Sequence, residues 1–537
     1  MRRRTFLGLA GGGVTAAALG GLTACSTDSP AQQTAQLLPS AMAMPQRYRV
    51  PLPVPPVKQP VGRHRGMTRY EIVQRPASVE ILPGTRTRIM GYDGIFPGPT
   101  IEARRGERVV VRHRNELAVP TVVHLHGGNT AAASDGYPID LIMPMHGADK
   151  FDGSGDHHGG HDQMPGGQMQ HGPMLGTVTD GVRDYHYDHD QQAATLWYHD
   201  HRMDFTAPQV WHGLAGFHLI RDDVEEKLSL PHDGREIPLM ITDRAFDGDG
   251  NLLYPSPDPQ LITPPGVSKD YHMGVLGDVI LVNGAPWPEL EVDAAKYRFR
   301  MLNASNARRY RLALDPPPAG GTSFTQIGSD GGLLDKPADR STITMAPAER
   351  FDVIVDFSGY PVGTEVVLTN GLGSGSTATV MRFRVARKAR DDSRIPTRLA
   401  EIEPLSTRTG RSGAGAIRRE WRFTRKSGDM MMWAINGKYF DPDRMDARPQ
   451  LGKTEIWRFY ADMNHPVHVH LSPFQVISRN GRSPDEPDVG WKDTIDLRPT
   501  EYADVAIRFD NHRGQYLLHC HNLEHEDMGM MAAFEVT

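Results

Sequence analysis

Phe351-Asp352-Val353-Ile354-Val355-Asp356-Phe357 decides the fold class. Its β-branched centre and the period-two alternation of its aspartates with apolar residues are the marks of a strand. Runs of the same kind lie on both sides, among them Glu107-Arg108-Val109-Val110-Val111 and Tyr502-Ala503-Asp504-Val505-Ala506-Ile507. Gly, Pro, Asn and Asp separate these runs, and sustained helical periodicity is scarce. The expectation is an all-β chain of sandwiches or barrels.

The chain has 537 residues, which at roughly 150 residues per domain predicts three or four domains. Two seams divide it. One lies at 222–235, where Asp222-Asp223-Val224-Glu225-Glu226 is followed by Pro231-His232-Asp233-Gly234. The other is the basic, polar linker 387–415. They leave β domains at 61–222, 236–386 and 416–537. Residues 26–60, Gln/Ala-rich and then Pro-rich, read as an extended tether. Segment 143–174 inside the first domain is poor in aliphatics and dense in Gly, Met and His.

A net charge of −6 over this length gives no field that selects nucleic acid. The composition also excludes collagen, coiled coil and a multi-span membrane protein. The first 25 residues read as an export signal. Arg2-Arg3-Arg4-Thr5-Phe6-Leu7 contains a twin-arginine pattern, and Leu22-Thr23-Ala24-Cys25 ends like a lipobox. The expected location is the cell envelope, with a lipid anchor at Cys25 on the outer face of the membrane, or else a secreted or periplasmic protein. Only Cys25 and Cys520 are present. A lipidated Cys25 leaves Cys520 no disulfide partner.

The 24 histidines are informative by placement. H-x-H occurs four times, at His124/His126, His199/His201, His468/His470 and His519/His521, where chance predicts about one such pair. On a strand, residues i and i+2 share a face, so each pair aims two imidazoles at one spot. Eight imidazoles are too many for a single ion and suit three coppers. In His519-Cys520-His521 the thiol points away from its neighbours toward a second site. There His465, His525 and Met530 supply the rest of a His₂Cys arrangement with a weak thioether.

At these residues the chain resembles the multicopper oxidase family. The motifs are His124-Leu125-His126-Gly127-Gly128, Trp197-Tyr198-His199-Asp200-His201, His465-Pro466-Val467-His468-Val469-His470 and His519-Cys520-His521-Asn522-Leu523-Glu524-His525-Glu526-Asp527-Met528-Gly529-Met530. Gly277-Asp278-Val279-Ile280-Leu281-Val282-Asn283-Gly284, Arg300-Met301-Leu302-Asn303-Ala304-Ser305-Asn306-Ala307-Arg308 and Ile327-Gly328-Ser329-Asp330-Gly331-Gly332 look like the middle domain of its three-domain, laccase-like branch. The resemblance covers about residues 46–537 and implies three consecutive cupredoxin-like Greek-key domains.

It also implies four copper ions. His465, Cys520, His525 and axial Met530 would hold type 1 copper, His124 and His468 type 2, and His126, His199, His201, His470, His519 and His521 the type 3 pair. Electrons from a phenol, aminophenol or similar small reductant would pass through Cys520, and four electrons with four protons would turn dioxygen into two waters. The family pattern suggests Asp135 and Glu526 as proton carriers. From the residues alone, Asp135 is equally an Asp-Gly turn with Gly136, and Glu526 equally a solvated loop carboxylate. The 73 positions from His126 to His199 exceed the usual gap of this branch. The Met and His residues between them raise an alternative, a Cu(I) or other metal-ion oxidase that detoxifies copper. A copper-storage protein without turnover is a third reading, and the complete set of ligands argues against it. Oligomeric state cannot be read from the chain.

Overall fold

The computed structural model describes residues 35–145, 176–405, 418–426 and 432–537. Three pairs of packed sheets follow one another along the chain. The first pair joins a five-stranded sheet built on Met67–Val79 and Val109–Asn115 to a four-stranded sheet of Gly98–Arg104, Val123–His126, Ala194–Asp200 and Ala215–Arg221. The second packs the eight-stranded sheet containing Glu236–Phe246, Lys296–Asn303 and Arg350–Asp356 on a five-stranded sheet containing Thr379–Lys388. The third sets two five-stranded sheets face to face, one around Thr454–Ala461 and Glu501–Arg508, the other around His465–Val469 and Gly514–Cys520.

One connection pattern recurs in all three. Each sheet of a pair holds one parallel pairing: Met67–Val79 beside Val109–Asn115 and Gly98–Arg104 beside Ala215–Arg221; Glu236–Phe246 beside Lys296–Asn303 and Glu289–Ala294 beside Thr379–Lys388; Arg419–Lys426 beside Thr454–Ala461 and Met445–Ala447 beside Met531–Val536. A parallel pair cannot be closed by a hairpin, so the chain must cross between sheets. The inward faces meet as separate apolar cores, represented by Ile72, Val111 and Leu196, then Phe299, Val353 and Phe383, then Trp457, Val505 and Phe534.

One expectation needs correction. From residue 35 onward, the segment expected as a tether is bound to the body. Gln36–Leu37 pairs with Val275–Leu276, Leu38 and Leu52 are buried in the middle core, and Val57 bridges to Thr100. Leu38, Leu52 and Pro55 are buried against the body, while most of the other prolines stay exposed. In the strand Arg350–Asp356 one of the two aspartates is inside. Asp352 is buried and takes the guanidinium of Arg298 at 2.9 Å.

The linker also lies along the body in its described part, where Leu399 and Leu405 are buried. Segment 143–174 begins from Ile142–Met143, which pairs with Thr179–Asp180. Apart from Met143 and Met145, its methionines and histidines lie outside the described residues, as do the export signal and Cys25. No helix among the described residues is long and apolar enough to cross a membrane.

Candidate metal centre

Strand pairing brings the four H-x-H motifs together. His124 lies opposite His199 on adjacent strands of the first domain, and His468 opposite His519 in the third. Only His124/His126 lie wholly within a strand. The second histidine of each other pair sits one residue past its strand end, at His201, His470 and His521. The two sheets meet across the domain interface. There His126 stacks on His468 at 3.6 Å between ring centroids, and His124 on His470 at 3.9 Å.

All eight rings are buried. Burial pushes His124, His126, His199, His470, His519 and His521 well below the usual imidazole range, so they are neutral and keep a lone pair. Those lone pairs are unspent. His124 Nε2, His126 Nδ1, His199 Nε2, His201 Nδ1, His468 Nε2 and both nitrogens of His521 have no hydrogen-bond partner among the described residues. A buried unsatisfied nitrogen is costly unless something else takes it. His124, His468 and His470, His124, His126 and His199, and His201, His470 and His519 each bring ligand atoms within 4.8 Å of one another.

A second set converges in the third domain. His465 Nδ1 and His525 Nδ1 lie 3.4 and 3.6 Å from Cys520 Sγ and 3.2 Å from each other. Asp462 accepts a hydrogen bond from His465 Nε2 at 3.1 Å, which turns Nδ1 toward the thiol. Trp433 stacks on His525 at 3.7 Å. Met530 is buried in the same core, and its backbone joins both ligands, donating to the His525 carbonyl and accepting from Cys520 N–H. Burial, helped by the nearby acids Glu526, Asp496 and Asp462, raises the Cys520 thiol well above its ordinary value, so a bound cation is what would make it a thiolate. Neutral imidazoles with a single thiol and a thioether are a donor set that fits copper.

Both candidate proton carriers are inside. Asp135 closes a short helical turn before Gly136, whose φ is +86°. Its carboxylate accepts from His470 Nδ1 at 2.7 Å, and its carbonyl accepts from His124 Nδ1 at 2.5 Å. Asp135 is therefore a turn residue and a site residue at once. Glu526 is not a solvated loop group. It is buried with Oε2 3.1 Å from His519 Nδ1 and Oε1 3.6 Å from His201 Nδ1. Burial pushes both carboxyls above the usual range, Asp135 strongly.

The stretch carrying His525 and Glu526, expected as a loop, is a single turn of helix, Leu523–Asp527. Sequence reasoning also missed Asp462, Trp433, Arg350 and Asp493. None of them carries a spacing signature, since each reaches the site by tertiary contact.

A family model described as multicopper oxidase matches residues 417–537, and a second with the same description matches 74–150 and 157–225. A laccase of Bacillus subtilis (strain 168) is 36% identical, the match covering 90% of this chain and 98% of that protein. A bilirubin oxidase of Albifimbria verrucaria is 35% identical over 91% of this chain and 81% of its own. Among solved structures, a multi-copper oxidase from Pediococcus acidilactici superposes with a TM-score of 0.76 at 32% identity, covering 94% of this chain and 93% of that one. The McoA multicopper oxidase of Aquifex aeolicus gives 0.73 at 29% identity, covering 92% and 100%.

Proposed function

Because the chain belongs to the multicopper oxidase family, in its laccase-like branch, we propose an assignment of its side chains to individual copper ions. His465, Cys520, His525 and Met530 would hold type 1 copper. His124 and His468 would hold type 2, and His126, His199, His201, His470, His519 and His521 would hold the type 3 pair. The protein is a copper-dependent oxidoreductase that uses oxygen.

The observation that carries the assignment is the set of buried ring nitrogens left without partners beside a thiol flanked by two of the same rings. Bound copper supplies one-electron redox chemistry tuned by its sulfur and imidazole donors. The chain supplies the rest. Cys520 is bonded through the backbone to His519 and His521, so one tripeptide links the thiol site to the imidazole cluster. Asp135 holds a proton beside His470 and Glu526 one beside His519, where the four protons of dioxygen reduction to two waters are needed. The rings and both carboxyls are buried, which places these two acids where they can pass protons to the cluster.

The reductant class we propose is phenols and aminophenols, supported by the relatives named laccase. Oxygen uptake by the copper-loaded protein tests it. Uptake with an aminophenol and none with Cu(I) is expected. Uptake with Cu(I) alone would overturn the substrate class.

We also propose export by the twin-arginine route and anchoring through an acylated Cys25, on the strength of the amino-terminal motifs. Cys25→Ser should move the protein from the membrane to the soluble fraction. An unchanged distribution refutes the anchor.

A further inference from the structure

His126 is turned the other way round from five other imidazoles of the cluster. His124, His199, His468, His470 and His519 each donate Nδ1–H to an oxygen and direct Nε2 inward. The acceptors are the carbonyls of Asp135, Asp200, Asp493 and Cys520 and the Asp135 carboxylate, at 2.5 to 3.2 Å. His126 does the reverse. Its Nε2 lies 3.1 Å from Asp493 Oδ1 and 3.2 Å from Thr494 Oγ1, and its Nδ1 has no partner among the described residues. The Thr494 hydroxyl already donates to Asp493, and a carboxylate only accepts. The ring proton therefore sits on Nε2, and the lone pair of His126 is on Nδ1.

Asp493 is placed from outside its own domain. The guanidinium of Arg350, on the middle-domain strand Arg350–Asp356, grips both its oxygens, with Nη1 2.7 Å from Oδ1. Arg350 is in turn fixed by the Thr195 and Ala348 carbonyls at 2.9 Å each. Asp330, also of the middle domain, accepts the backbone N–H of Arg350 at 2.8 Å and those of Asp493 and Thr494 at 3.2 Å. The residue after His126 makes room for this pair. Gly127 has φ +84°, and a Cβ there would lie 2.6 Å from Arg350 Nη2 and 2.8 Å from Asp493 Oδ2.

We propose that the Arg350–Asp493 pair is a positioning device that obliges His126 to offer Nδ1 to the type 3 site, and that through it the middle domain, which supplies no ligand, sets the geometry of the copper cluster. The inference rests on the copper assignment proposed above. Without Asp493 the ring is free to take the tautomer of its neighbours. Its lone pair then lies on the opposite edge, facing away from the cluster. Groups that orient a ligand histidine are worth on the order of 10–100-fold in metal affinity, and the fork of an arginine is not reproduced by lysine.

The test compares the parent protein with Asp493→Ala and Arg350→Lys after copper loading. It reads copper per chain, the intense blue absorption of the thiolate site and the near-ultraviolet shoulder of the coupled pair. Both variants should keep the blue band, lose the shoulder and retain less copper after dialysis, with cluster affinity down on the order of 10–100-fold. Arg350→Lys decides where Asp493→Ala does not fold. If Arg350→Lys keeps both bands and the parent's copper content, the proposal is overturned. It is equally overturned if both bands vanish together, since that marks a general role in folding. A parent protein that itself binds no copper would instead refute the copper assignment.

Discussion

Both oxygens of Glu526 are buried beside ring nitrogens of His519 and His201. A carboxyl kept in this setting, with its proton affinity raised by burial, is suited to hold a proton and release it to a neighbour. Glu526→Gln keeps the shape and removes the exchangeable proton. Turnover with dioxygen should fall by about 10²-fold or more, while bleaching of the blue band by a phenol without oxygen stays at the parental rate. Unchanged turnover with an unchanged pH profile would show that Glu526 is not the relay. The same scale explains Gly127. Its left-handed backbone and the lack of space for a Cβ make it a requirement of the Arg350–Asp493 pair.

The turn of helix Leu523–Asp527 joins three domains with four successive side chains. Glu524 accepts from Tyr254 Oη at 3.0 Å, Asn306 Nδ2 at 2.9 Å and Val275 N at 3.2 Å, all in the middle domain. His525 and Glu526 face the two metal sites. Asp527 accepts from the backbone N–H of Thr206 and Ala207 at 2.9 Å, at the start of the first-domain helix Thr206–Trp211. A slip of this turn would move both sites at once. Burial pushes Glu524 from 4.5 up to about 7. A carboxyl raised in the folded state contributes its full stability below its unfolded pKa and loses it as pH rises through the folded one. The loss for Glu524 amounts to about 3 kcal/mol. In copper-free protein, melting temperature measured from pH 5 to 8 should therefore decline less for Glu524→Gln than for the parent. The pH slope is the readout, because the amide also meets the Val275 N–H and lowers stability at every pH. Parallel slopes would refute the raised acid.

At the scale of the whole molecule, the first and middle domains are joined by a buried ionic network. Arg300 and Arg298 share Glu225 at 2.8 and 3.0 Å, Arg298 also pairs with Asp352, and Arg300 and Arg221 converge on Glu236. Burial opposes the charge on Glu236, but the pull of Arg300, Arg298 and Arg221 outweighs it and holds the carboxyl at about 2. A carboxylate depressed in this way stabilises the fold above its unfolded value of 4.5 and loses that contribution as pH falls toward 2. About 3 kcal/mol is at stake. Thermal melting at pH 5 and pH 3 should show the parent losing more stability on acidification than Glu236→Gln. Equal losses would place the acid sensitivity elsewhere. A network of this kind holds the first and middle domains in register, and the middle domain in turn grips Asp493 of the third domain through Arg350.

The four H-x-H motifs, the His-Cys-His tripeptide and the alternating runs were enough to read an all-β chain and most of its candidate ligands, because strand periodicity and ligand spacing are local properties. The paired carboxyls Asp135 and Glu526 could be named but not decided between two roles, since burial depends on what packs over them. Other features had no sequence signature at all. The ring edge that His126 presents, the hold of Arg350 on Asp493, the helical turn that ties three domains and the strap at 35–60 all arise between residues distant in the chain. Spacing rules reach only as far as one element, whereas hydrogen-bond direction, desolvation and charge pairing are set by whichever elements the fold brings into contact.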